Sequence, residues 1–152
     1  MKYKTLFGFV ILCVIMAILS PRFLAVSNIR NVLTQVSVNA VIAVGMTFVI
    51  LTGGIDLSVG STLAISGAVA ATLVKNNGNV FIAVLAALVI GALVGLINGV
   101  FVAKGKIQAF IVTLATMTIF RGATQVYTNG TPVSGLGKSF GVIGNIDVIG
   151  IP

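Results

Sequence analysis

The sequence predicts an all-α protein: a polytopic transmembrane helix bundle of about five spans with a short interfacial amphipathic helix. Two observations carry the prediction. Of 152 residues, 58% are hydrophobic and 7% charged, and the mean hydropathy is +1.21, far from the roughly 25% charge of soluble domains. The charges also stand singly or in pairs between long uncharged runs, and apolar runs of about 18 to 25 residues are what a hydrocarbon layer of about 30 Å requires of a spanning helix. The net charge of +7 contains no basic block and no aromatic interleaving. It is therefore read as membrane-flanking charge, and no nucleic-acid partner is expected.

A transmembrane domain is expected over 1–127, followed by an extramembrane, glycine-rich tail over 128–152. The first span, near 5–20, lies between Lys4 and Arg22 and stops at Ser20-Pro21. Lys2 and Lys4 would also suit a signal peptide, but Ile18 to Arg22 lacks a small-x-small cleavage site and further spans follow. Near 28–37, Ile29, Val32, Leu33 and Val36 recur at three and four residues among Arg30, Asn31 and Gln35. That pattern suits a helix lying in the interface, with Ser27 or Asn28 as its N-cap. The second span, near 38–52, ends at Gly53-Gly54. The third, near 57–74, has Asp56 as a natural N-cap and runs into a polar turn from Lys75 to Asn79. The fourth, near 80–103, holds no charge and is closed by Lys104-Gly105-Lys106. The fifth, near 107–127, carries Arg121, which can snorkel to headgroups or act within the protein. The cations divide evenly between the two sides, and only the tight pairs favour a cytoplasmic N-terminus.

The absence of histidine removes serine catalysis with a histidine base, and the single cysteine, Cys13, precludes an internal disulfide or thiolate metal site. Gly99 to Lys106 is not a phosphate loop, because the glycine spacing is wrong and Ile107 stands where a hydroxyl is required. No catalytic, metal-binding or cofactor-binding residue is expected. Asn129-Gly130-Thr131 is formally a glycosylation sequon, but a turn is the better reading. The candidates for a translocation path or gate are Asn39, Asp56, Ser58 and Asn98. An ionisable group between two apolar runs is either a cap at the membrane boundary or a functional group. Both readings stand for Asp56, and the asparagines either line a path or bond helix to helix. Thr113, Thr116 and Thr118 can bond back to their own helix. Gly91, Gly95 and Gly99 form a GxxxGxxxG stripe for close helix packing, within the chain or between subunits.

Three stretches carry a resemblance: Val36 to Ser61, with its Gly53-Gly54-Ile55-Asp56-Leu57-Ser58-Val59-Gly60 core, Asn98 to Phe110, and Tyr127 to Val133. They resemble the membrane permease of ribose-type bacterial ABC importers. The resemblance implies a multi-pass subunit of the bacterial plasma (inner) membrane with a cytoplasmic N-terminus. It also implies a second permease subunit (a homodimer is expected), an ATP-binding subunit and a periplasmic sugar-binding protein, with a monosaccharide such as ribose as cargo and the chemistry of passage only. Chains of that family are longer, so this sequence resembles an N-terminal half. A self-contained channel or pore-forming oligomer and a branched-chain amino acid permease are the other readings.

Overall fold

A computed structural model describes residues 3–137, which form five helices and, among the described residues, no strand. By contact the described residues divide into two units, 3–41 and 42–137. Asp147 and Lys138 lie outside the described residues.

The first unit holds α1 (Lys4–Leu19) and the start of α2 (Val26–Leu51). α1 ends where Ser20 N–H donates to Met16 O at 3.0 Å, because Pro21 has no N–H to extend the ladder. Asn28 Nδ2 then donates to Phe23 O at 2.8 Å and ties the turn to α2. α2 is one continuous helix of 26 residues. The interfacial helix expected at 28–37 and the second span expected at 38–52 are therefore not separate elements. No glycine or proline stands between Pro21 and Gly45 to break the helix. Polar residues at the expected boundary bond inward, Thr34 Oγ1 to Arg30 O at 3.0 Å and Ser37 Oγ to Thr34 O at 2.8 Å. Neither Ser27 nor Asn28 is the cap, since both lie inside α2.

In the second unit α2 ends at Leu51. Gly53 adopts φ +74, and the N–H groups of Gly53 and Gly54 reach back to Ile50 O at 2.9 Å and Val49 O at 3.0 Å, so the pair satisfies the last carbonyls of the helix. After a non-helical stretch come α3 (Val59–Asn77), α4 (Val80–Ala103) and α5 (Ala109–Thr128). The polar turn expected from Lys75 is shorter, because α3 runs on to Asn77 and leaves Gly78 (φ +66) and Asn79 as the connection. Asn79 caps α4, its Oδ1 accepting from Ile82 N–H at 3.2 Å. Between α4 and α5, a Cβ on Gly105 would lie 2.5 Å from Phe101 O, so a residue with a side chain there would have to shift backbone. Asn129 closes α5 in the left-handed conformation at φ 51, a turn residue as expected.

α3, α4 and α5 pack on one another. Ala70, Val74 and Ala83 form a small apolar cluster, flanked by Leu73, Val80, Ala87 and Leu136. Many large apolar side chains are exposed: Phe7, Leu51, Phe81 and Leu88 are 66–76% exposed. Such apolar surface is costly in water and ordinary in lipid, where a helix need only satisfy its own backbone. Three helices, α2, α4 and α5, are long and apolar enough to cross a membrane, against the five spans expected. α1 has 16 residues, about 24 Å at 1.5 Å per residue, against a hydrocarbon layer of about 30 Å. α3 is diluted by Gly60, Ser61, Thr62, Ser66, Gly67 and its Lys75-Asn76-Asn77 end.

Candidate functional site

The break between α2 and α3 gathers the polar side chains of the second unit. Asp56 does not cap α3: the N-cap position belongs to Ser58, two residues later. Asp56 Oδ1 instead accepts from Ser58 N–H at 2.7 Å and from Ser58 Oγ at 2.6 Å, the local turn that Asp side chains form with backbone two residues on. Ser58 has right-handed helical angles and makes no side-chain capping bond, so its hydroxyl is available for contacts outside the helix. It is 1% exposed. Asn98, in the middle of apolar α4 and 6% exposed, donates from Nδ2 to Ser58 Oγ at 2.9 Å.

The Ser58 hydroxyl thus spends its proton on Asp56 and a lone pair on Asn98. On the other flank Thr113 Oγ1 lies 3.2 Å from Ile55 O and 2.8 Å from Ala109 O of its own helix. Ser61 Oγ donates to Ser58 O at 2.8 Å. The helix break is therefore held to α4 through Asn98 and to α5 through Thr113. Non-helical backbone among apolar helices is viable only where its polar groups find protein or a water-lined cavity, and these bonds supply that. Among the described residues, Asn98 Oδ1 is the buried side-chain atom left without a partner.

Of the residues singled out in the sequence, Asp56, Ser58 and Asn98 come together. Asn39 lies exposed on α2, in the first unit. The sequence reads Thr113 as a back-bonding threonine. It does bond back, yet it also reaches the break, and its spacing of four from Ala109 gave no sign of the second contact. A cavity of about 250 Å³ opens beside the node, lined by Asp56, Ser58, Thr62, Ser66 and Asn98 and edged by Gly91 and Gly95. A Cβ built on Gly91, Gly95 or Gly99 meets nothing within 4 Å, so among the described residues no backbone approaches the stripe.

Helices with apolar exposed faces, three of them long and apolar enough to cross a membrane, and a pinned break between helices define, among the described residues, a multi-pass membrane protein. It belongs to the family described as branched-chain amino acid transport system / permease component, which matches residues 28–144. It is 49% identical to the ribose import permease protein RbsC of Escherichia coli K12, over 99% of this chain and 51% of that protein. With the ribose import permease protein RbsC of Haemophilus influenzae it shares 51% over 99% of this chain and 48% of the relative. The D-allose transport system permease protein AlsC of Escherichia coli is 40% identical over 99% of this chain and 47% of its own length. The chain spans about half the length of these curated relatives. No solved structure matches it.

Proposed function

We propose that this chain supplies part of the membrane permease of an ABC importer for a monosaccharide, ribose first among the candidates. The carrying observation is the near-50% identity to ribose import permeases along 99% of the chain. In this reading the chain is non-catalytic. A separate ATP-binding subunit supplies the energy, a soluble sugar-binding protein delivers the cargo, and a second permease subunit, a copy of the first, completes the pathway. Asp56, Ser58 and Asn98 act as a gating joint: they hold a non-helical break between helices, the kind of place where a membrane protein changes shape without exposing backbone to lipid.

The test is uptake of labelled ribose in cells lacking their own ribose permease and expressing the gene that carries this sequence together with an ATP-binding subunit and a sugar-binding protein of a ribose importer. Uptake that needs an intact ATP-binding subunit is expected. The family description favours one second reading, branched-chain amino acids; leucine uptake without ribose uptake would establish it. Conductance by the purified chain alone would favour a pore.

The stripe on α4 is the proposed seat of a helix from the second subunit, since its glycines are open, Gly91 and Gly95 at the edge of the cavity beside the node. Gly95→Leu has room within the chain, so membrane insertion should be normal. Overpacking against a seated helix should cost about 1–3 kcal/mol and reduce recovery of the assembled complex on co-purification. Full recovery would show that the stripe faces lipid.

A further inference from the structure

We infer that the groove between α3 and α5 is the passage for the sugar, an assignment that rests on the transport reading above. The groove encloses about 570 Å³. Its α3 wall is a face of small residues, Gly60, Ala64, Gly67, Ala68 and Ala71. The structure leaves that face open: a Cβ on Gly60 or Gly67 meets nothing within 4 Å. The small side chains make room where α5 stands opposite.

The α5 wall is polar where most of that helix is apolar. Arg121, Thr124, Gln125 and Thr128 recur at three and four residues and line the groove together. Thr124 Oγ1 and Thr128 Oγ1 donate to Phe120 O at 2.7 Å and Thr124 O at 2.9 Å, so each presents only acceptor lone pairs to the groove. Arg121 presents donors only, and Gln125 presents both. The lining holds no carboxylate; Asp56, the one acid among the described residues, borders the other cavity.

Donors beside acceptors, with no anionic group, fit a neutral polyol, whose hydroxyls give and take hydrogen bonds. An amino acid zwitterion would find Arg121 for its carboxylate but no anionic partner for its ammonium there. An intramembrane cation facing a cavity is also the arrangement in which polar groups at membrane depth mark a solute path. Four polar side chains spread along more than one helical turn hold a sugar at no single point, which passage requires.

The experiment uses the assembled transporter in membranes, measuring ribose uptake and ATP hydrolysis together. Gln125→Ala removes a groove side chain that is exposed in this chain. Uptake should fall about fivefold, the scale of one hydrogen bond to the solute, with assembly unchanged. Gly67→Leu fills the groove and should reduce uptake further while the complex still hydrolyses ATP. If Gly67→Leu fails to assemble, Gln125→Ala decides alone.

A cysteine at Ala68 in a Cys13→Ser background tests occupancy: a charged, water-soluble thiol reagent should label it in the assembled transporter. Wild-type ribose uptake that persists undiminished in Gln125→Ala, or an unlabelled Ala68 cysteine, overturns the assignment and gives the groove to a helix or to lipid. No ribose uptake by the unmodified transporter overturns the transport reading itself, and the passage with it.

Discussion

Ser58→Ala is expected to be among the most damaging single substitutions in the chain, although it deletes one atom. The hydroxyl links Asp56 to Asn98, and among the described residues Asn98 Oδ1 already lacks a partner. Without Ser58 Oγ both polar atoms of a side chain that is 6% exposed stand unpaired. A buried group left unsatisfied costs about 1–3 kcal/mol, and that loss should appear as a lower thermal midpoint of the detergent-purified protein. Asn98→Leu removes the unpaired acceptor together with the donor and keeps an apolar side chain of similar size, so its cost should be smaller. The double variant should then be more stable than the sum of the singles predicts, with a coupling on the order of 1 kcal/mol, as residues in one hydrogen-bond network couple. Strict additivity would mean that Ser58 and Asn98 do not act as a pair.

Much of this architecture was legible in the sequence, and the failures have physical causes. The break at Gly53-Gly54 could be read because a helix end commonly needs a residue with positive φ, and Gly53 has it. The site was legible residue by residue but not as a constellation. Asp56 and Ser58 are near neighbours, whereas Asn98 is 40 residues from Ser58, and their meeting depends on how α4 packs against α3. The continuity of α2 was missed because Arg30, Asn31 and Gln35 look like interfacial polarity, while helix formation depends on breakers, which this stretch lacks. Gly60, Gly67 and Ala71 pose a different difficulty: in the structure they line a groove. Small residues at helical spacing say that something is close or that space is kept, and sequence alone does not choose between them.

Asp56 is where the capping and transport roles predict different outcomes, and the geometry changes what each substitution tests. Asp56 Oδ1 takes two hydrogen bonds, from the amide and the hydroxyl of Ser58. Asp56→Asn retains a carbonyl oxygen at that place, with two lone pairs, so the turn, the fold and the bridge to Asn98 should survive, weakened only by the smaller strength of a neutral acceptor. Asp56→Ala leaves the Ser58 amide and hydroxyl without this acceptor at a residue that is 1% exposed. Hydrogen bonds to a charged group are worth about 1.5–3 kcal/mol each, so this variant should lose stability and assembly together. The decisive comparison is Asp56→Asn, measured both for thermal midpoint and for ribose uptake in the assembled transporter. A near-normal midpoint with near-normal uptake makes the carboxylate a structural clasp for the helix break. A near-normal midpoint with uptake lost makes the carboxylate part of the transport cycle, because Asn keeps the acceptor that holds the turn and removes the charge and the second acceptor oxygen. We expect the clasp, since the contacts of Oδ1 are to neutral donors and the carboxylamide supplies the same acceptor.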